Sequence, residues 1–204
     1  MIIDFDSLSP ASIYHCVTQS LIPRPVAWAL TENPGGDYNL APFSYFTAVS
    51  SEPPLVLLSM GKKPDGTVKD TRNNILARKH FVIHIAHREM AQAMTETSRT
   101  LPLGESELAL ADLPTVPFDG FPVPRLRDCR VAMACEFYDI KEIGPNAQGL
   151  IFARIRHLYL DDSVVTEEAD GRLKIDATAV DPLGRLGASE YATLGEILHV
   201  PRPK

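Results

Sequence analysis

Lys69-Asp70-Thr71, followed three residues later by Asn74, sets a cation, a carboxylate, a hydroxyl and an amide at one helix start. The first N–H groups of a helix have no partner inside it, and its dipole is positive at that end. With Lys69 and the Thr71 hydroxyl added, this is the best anion site in the chain. The same spacing also serves a capped surface helix with an exposed lysine. Asp70 would oppose a bound phosphate if it pointed inward, so a capping role is expected for it. Ser59, closing the apolar run that precedes this helix, can reach the same anion or bond a nearby carbonyl. Upstream, Asn39, Ser44 and the Ala41-Pro42 peptide place small and polar groups on an otherwise apolar strand. That arrangement presents backbone donors and acceptors to the rim of a flat ring system, with little side-chain bulk in the way. A strand edge with a bulge gives the same pattern. From Arg24 to Asn74, then, lies the equipment to hold a flat, phosphorylated molecule against backbone.

Other chemistries find less support. His80, His84 and His87 would share a face on a helix and could chelate a metal. Phe81-Val82-Ile83-His84-Ile85 is β-branched, however, and a strand sets His80 and His84 about 13 Å apart. His84 is therefore expected as a hydrogen-bonded residue in a sheet wall, and His157 and His199 have no informative spacing. No Gly-x-Ser-x-Gly elbow occurs. No Gly-x-Gly-x-x-Gly follows a strand, which disfavours a dinucleotide-binding domain of the doubly wound type. Cys135 stands among apolar neighbours and reads as an inert core thiol. If the protein is an enzyme, a bound cofactor supplies its reactivity.

The elements that must position these groups are mostly strands. Val26 to Thr31 reads as one strand, ended by the turn Asn33-Pro34-Gly35-Gly36-Asp37. Tyr38 to Val49 reads as its returning partner, with Pro42 marking an edge, a bulge or a ligand-facing bend. Leu55 to Met60 is nearly all apolar, as in a strand covered on both faces. A short helix capped by Asp70 or Thr71 runs to Lys79. Phe81 to Ala86 is strand-like, and Arg88 to Thr95 suits a helix with Met90, Ala91 and Met94 on one face. Thr97 to Arg127 is rich in Pro, Gly, Ser and charge and reads as a surface excursion, with a short helix over 105–111. Arg130 to Ile143 and Leu150 to Leu160 are long strands joined at Gly144–Gly149 as a hairpin. Antiparallel hairpins with a few short helices predict a mainly β (α+β) barrel rather than an open parallel sheet.

A chain of 204 residues, 45% hydrophobic and 23% charged, is expected to form a single domain over 1–204 with a sizeable core. A formal charge of −6 argues against a nucleic-acid-binding surface. No apolar run is long enough to span a bilayer, and Met1–Asp6 lacks the pattern of a signal peptide. Three cysteines without Cys-x-x-Cys spacing indicate neither a disulfide framework nor a zinc site. A cytoplasmic protein free of membranes is the expectation.

Several motifs then combine. Arg24-Pro25-Val26-Ala27-Trp28, Thr31…Gly36…Asn39-Leu40-Ala41-Pro42-Phe43-Ser44-Tyr45-Phe46, Pro53-Pro54 and Lys69-Asp70-Thr71-x-x-Asn74 resemble the flavin reductase-like family. These are FMN-binding split-barrel proteins that include flavoredoxins and the reductase components of two-component monooxygenases. The resemblance extends through Phe81–Ala86, Pro124–Phe137 and Leu183-Gly184-Arg185-Leu186-Gly187…Tyr191. The Asn-Leu-Ala-Pro-Phe-Ser form resembles the flavoredoxin-like branch; Ala134 stands where the family usually has Glu before the Cys. The resemblance implies a homodimer of six-stranded antiparallel Greek-key split barrels, with one FMN per subunit near the interface. It assigns Asn39, Ala41, Pro42, Phe43 and Ser44 to the flavin ring, and Ser59, Lys69, Thr71 and Asn74 to the phosphate and ribityl chain. Arg24, Thr31 and Arg185 are supporting contacts. The implied activity passes hydride from NADH or NADPH to flavin and on to an acceptor, such as a monooxygenase or another electron-acceptor protein. A flavoredoxin-like FMN electron carrier without NAD(P)H activity is the alternative, and a barrel that has lost FMN a third.

Overall fold

Seven strands form one antiparallel sheet in the computed structural model, which describes residues 1–102, 105–168, 170–201 and 203. They are β1 (Ala27–Glu32), β2 (Tyr38–Phe43), β3 (Phe46–Ser51), β4 (Pro54–Met60), β5 (His80–Ile85), β6 (Val131–Ile143) and β7 (Gln148–Leu160). Their hydrogen-bonding order is β2-β1-β5-β6-β7-β4-β3. The two strands at its ends, β2 and β3, are joined only by Ser44 and Tyr45. Covalent continuity therefore brings the two edges together, and the sheet curls into a split barrel.

The strand count is one more than the six expected. Tyr38 to Val49, read as one returning strand, breaks at Ser44-Tyr45, and its halves sit at opposite ends of the sheet order. Pro42 lies within β2, opposite Trp28, and β2 is an edge strand, where a missing donor is tolerated. The β6–β7 hairpin carries register shifts at Phe152/Ala153 and Ile155/His157. Such irregularities bend long strands and raise their twist, which barrel closure requires.

Two apolar layers back the sheet. Ala27 and Ala29 of β1 face a cluster with Phe43, Val56, Leu58, Phe81, Cys135 and Ile151. That cluster draws on six of the seven strands as buried members, with Phe46 of β3 packed beside it, so it is the barrel interior. Trp28 and Leu30 face the other way, onto Leu40, Val82, Ala132 and Met94. The alternation is the period-2 rule at work, and coverage on both faces explains the near-continuous apolar runs.

Among the described residues, five α-helices accompany the sheet: α1 (Pro10–Ser20), α2 (Asp70–Arg78), α3 (Ala91–Glu96), α4 (Glu107–Leu110) and α5 (Ala177–Val180). The expected helix from Arg88 begins as a 3-10 turn over Arg88–Met90 before α3. Within the excursion of 97–127, Phe118, Val123 and Leu126 are buried in the outer layer. Trp28 donates its indole N–H to Thr97 Oγ1 at 2.8 Å, fixing the start of that segment. No helix of the described residues is long and apolar enough to cross a membrane.

Candidate functional site

The open edge of β2, the start of α2 and residues 97–101 enclose a crevice of about 120 Å³. Pockets that enclose drug-sized ligands run to roughly 300–1,000 Å³, so a nucleotide-sized ligand would project from this one. Of the residues expected in a site, the crevice brings together Asn39, Ala41, Pro42, Phe43, Lys69 and Thr71. Lys63, Asp70, Arg99 and Glu107 also line it.

The polarity of the β2 edge follows from its pairing. Leu40 N–H donates to Glu107 Oε2 at 3.2 Å, and Ser106 Oγ donates to the Tyr38 carbonyl. Backbone polar groups alternate in direction along an antiparallel strand, so Tyr38, Leu40 and Pro42 all turn theirs away from β1. Pro42 thus occupies a register in which an N–H would have faced the open edge, and its ring removes no ladder bond. Glu107 takes the N–H of Leu40, while burial pushes its carboxyl above the usual carboxylate range despite that bond.

A buried polar cluster fixes α2 against β1 and β2. Asn39 Nδ2 donates to Thr71 Oγ1 at 2.9 Å and to Thr31 Oγ1 at 3.3 Å. Asn74 Nδ2 donates to Thr31 Oγ1 at 3.1 Å and to Asn33 Oδ1 at 2.8 Å. Because Asn39 occupies an acceptor site of the Thr71 oxygen, the Thr71 hydroxyl proton is free to be donated elsewhere. Asn39 therefore orients Thr71 from within the crevice lining, and Thr31 and Asn74 extend the network behind it.

The helix cap differs from expectation. Lys69 occupies the N-cap position and makes no side-chain capping bond. Asp70 is drawn instead to Lys63, at 2.8 Å, and Thr71 to Asn39, so neither side chain is left to cap. Lys69 lies 5.6 Å from the centre of the Phe43 ring and is half-buried. Among the described residues no carboxylate pairs with it. Burial, and after it the charge of Lys63, hold the Lys69 ammonium below its ordinary pKa.

The other expected residues sit apart from the crevice lining. Arg24 is buried and donates to the carbonyls of Thr18, Leu21 and Leu186, with Ser44 Oγ at 3.4 Å from its Nε. It ties α1 and the C-terminal segment to the barrel, helped by the pairing of Arg24–Pro25 with Gly184–Arg185. Arg185 donates to the carbonyls of Ala188 and Glu190 and lies over the Tyr191 ring. Ser59 Oγ accepts from Gln148 Nε2 at 2.9 Å, which leaves the serine proton available.

His84 behaves as a wall residue. Its Nε2 accepts from Leu126 N–H at 2.9 Å, which makes Nδ1 the protonated nitrogen that donates to the Trp28 carbonyl at 3.1 Å. Burial lowers its pKa to about 4. The described residues contain no group of His, Cys, Asp and Glu able to hold a metal ion. Cys135 is fully buried, and burial likewise pushes the Cys129 thiol up to about 12. Reasoning from sequence missed Lys63, Glu107 and Gln148. Lys63 carried a signal, a second cation six residues before Lys69, whereas Glu107 and Gln148 reach their places only through tertiary folding.

Residues 19–175 match the model of the flavin reductase like domain. An uncharacterized protein of Halalkalibacterium halodurans is 34% identical over 97% of this chain and 94% of its own length. Among solved structures, nitrilotriacetate monooxygenase component B from Bacillus cereus superposes with a TM-score of 0.89 at 30% identity, over 98% of each chain. The 2-nitrobenzoate 2-nitroreductase of Pseudomonas fluorescens gives 0.89 at 25% identity, over 100% of this chain and 96% of its own. A flavoredoxin of Desulfovibrio vulgaris gives 0.75 at 20% identity, over 98% and 97%, a likeness of fold. The chain belongs to the flavin reductase-like family.

Proposed function

We propose that the protein is an FMN-dependent oxidoreductase, working as a homodimer, that takes hydride from NADH or NADPH and passes electrons to an acceptor. The observation that carries this reading is Lys69, a half-buried cation with no carboxylate partner among the described residues, beside a Thr71 hydroxyl whose proton is free. Burying a charge without a partner is costly, and a ligand phosphate would offset that cost. The donor set at the crevice therefore fits a phosphorylated flavin.

Lys69, Thr71 and the first N–H groups of α2 would hold the phosphate, and Ser59 would add its hydroxyl. Ala41, Pro42 and Phe43 would set the ring against backbone at the β2 edge. Bound FMN would supply hydride acceptance and release. Hydride transfer needs no protein acid or base, so the chain's part is to orient the ring and to keep the buried amides behind Thr71 in place. The shallow crevice supports this, since it would leave a flat face of the ring open to a nicotinamide. Val49, Tyr138 and Leu158, exposed apolar residues on β3, β6 and β7, support the packing of a second copy.

The test is a visible spectrum of the purified protein, then anaerobic mixing with NADH and with NADPH in a stopped-flow instrument. A yellow protein bleached by at least one nucleotide is expected. A flavin that stays oxidised until a partner reductase is added would make the protein an electron carrier. A colourless protein with no affinity for added FMN would remove the reading altogether.

A further inference from the structure

Between β4 and α2 the chain makes one tight turn. Lys63-Pro64-Asp65-Gly66-Thr67 has the proline, aspartate and glycine that turns favour, and Gly66 takes a φ of +84°. Gly66 N–H donates to the Lys63 carbonyl at 2.9 Å, and Lys63 N–H donates to the Thr67 carbonyl at 2.8 Å. Asp65 accepts from the Thr67 N–H at 2.9 Å and from the Thr67 hydroxyl at 2.6 Å. The turn is closed on itself, and it sets Lys63 against the first residue of α2. There Lys63 Nζ meets Asp70 Oδ2 at 2.8 Å, with the two side chains 15% and 17% exposed. Both line the crevice.

This ion pair decides what is left open at the helix start. The N–H groups of Arg72 and Asn73 donate to the Lys69 carbonyl, at 3.0 and 3.1 Å. Those of Asp70 and Thr71 have no acceptor among the described residues. Two backbone donors, the Thr71 hydroxyl and the Lys69 ammonium therefore stand together without an acceptor. A carboxylate in the first turn is the ordinary acceptor for such N–H groups, and the helix dipole draws it to them. Asp70 is that carboxylate by position, yet its bond goes to Lys63 instead.

We propose that Lys63 is a positioning residue of the phosphate site: by holding the Asp70 carboxylate, it keeps the first N–H groups of α2 open to the phosphate of FMN. The identity of the ligand rests on the proposed function; the division of labour rests on the ion pair. Lys63 acts through Asp70 and not by touching the ligand. Without its cation, the Asp70 carboxylate turns to the nearest free donors, the N–H groups and the Lys69 ammonium. It then competes with the phosphate for them and repels it as a like charge. Lys63 and Asp70 together carry no net charge, so removing the two as a unit leaves the charge of the site as it was.

Titration of FMN and of riboflavin into the purified protein, freed of any bound flavin, tests this with variants of the pair. Lys63→Met should weaken FMN about tenfold and leave riboflavin, which lacks the phosphate, unchanged. Lys63→Arg should keep the natural affinity. Asp70→Asn alone should bind FMN at least as tightly as the unaltered protein. Lys63→Met with Asp70→Asn should recover FMN binding to within about threefold of it. A double variant as weak as Lys63→Met would make Lys63 a direct contact and overturn the proposal. So would a loss shared by riboflavin, the mark of a helix that has merely lost a brace. Should Lys63→Met fail to fold, weaker FMN binding by Asp70→Asn overturns the proposal by itself. Inorganic phosphate separates this role from the flavin reading. It should raise the Tm of the unaltered protein and of the double variant, and raise that of Lys63→Met less. That pattern in a protein that takes up no FMN sinks the flavin reading and leaves the role of Lys63 standing. FMN binding indifferent to Lys63→Met does the reverse, and binding of neither FMN nor phosphate overturns both.

Discussion

Asn39 donates its side-chain amide to the Thr71 hydroxyl at 2.9 Å, joining the edge strand of the barrel to the first turn of the helix beside it. The pair settles two things together. It fixes how far α2 stands from β2, and it uses an acceptor site of the Thr71 oxygen, so that the hydroxyl is left as a donor. Thr31 and Asn74 extend the same network behind it. Asn39 thus lines the crevice and also holds Thr71 in place.

Replacing Asn39 by Leu removes both donations and leaves the buried Thr71 and Thr31 hydroxyls short of partners. A loss of about 1–3 kcal/mol in urea unfolding is expected, since unmade hydrogen bonds of buried groups cost that much. FMN affinity should fall several-fold in the same variant. A variant with full stability but lost FMN affinity would mean that Asn39 meets the ligand directly.

Lys69→Met tests the phosphate site by subtraction. FMN should bind about ten- to a hundredfold more weakly, the scale of a charge-assisted contact. Riboflavin, which lacks the phosphate, should be held equally well by both proteins. The free protein has an opposite sensitivity. Burial lowers the Lys69 pKa in the folded state, so just below 10.5 the unfolded chain binds more protons than the folded one. Stability then rises with pH across that window, and Lys69→Met should flatten the rise. Denaturation curves between pH 8 and 10.5 measure it.

The barrel was legible in the sequence because its signals are local. The apolar run of β4, the strand-like stretch Phe81 to Ala86 and the turn Gly144–Gly149 each follow from neighbours in the chain. The break at Ser44-Tyr45 was not legible, since nothing in those two residues marks a chain crossing from one sheet edge to the other. Lys69, Thr71 and the Ala41–Phe43 edge declared themselves by type and spacing. What the sequence hid was the network: the side-chain amides of Asn39 and Asn74 meet at the Thr31 hydroxyl, which only packing brings between them. Glu107 was hidden for a related reason, as its partner Leu40 lies 67 residues away.

His84 should make stability fall on acidification. Its folded-state pKa is lowered to about 4, against 6.5 for the free side chain. Between those values the unfolded chain takes up a proton that the folded one refuses, so stability is intact above pH 6.5 and is lost progressively toward pH 4. The full shift corresponds to about 3 kcal/mol. His84→Gln retains one donor and one acceptor for the Trp28 carbonyl and Leu126 N–H. It should be less stable at pH 7 yet lose less on going to pH 4.5, in urea titrations at the two pH values. An equal acid loss in both proteins would assign the effect to other groups.

Gly149 is a glycine because of Arg72. A Cβ there would lie 2.9 Å from Arg72 Nη1 and 3.1 Å from Cζ. A long side chain often yields to such a clash, but Arg72 is buried, paired with Glu142 and bonded to the Ala147 carbonyl at 3.1 Å. To move, it must give up those partners, and its Nε already lacks one. Gly149→Ala is expected to cost about 1–3 kcal/mol in urea unfolding, within the range for overpacking. The neighbouring Gln148 holds Ser59, so FMN binding should weaken as well. A double-mutant cycle isolates the cause. In an Arg72→Ala background the same glycine substitution meets no guanidinium and should cost almost nothing, a coupling of about 1–3 kcal/mol. If Gly149→Ala costs the same in both backgrounds, the glycine is required by the strand itself and not by the arginine across it.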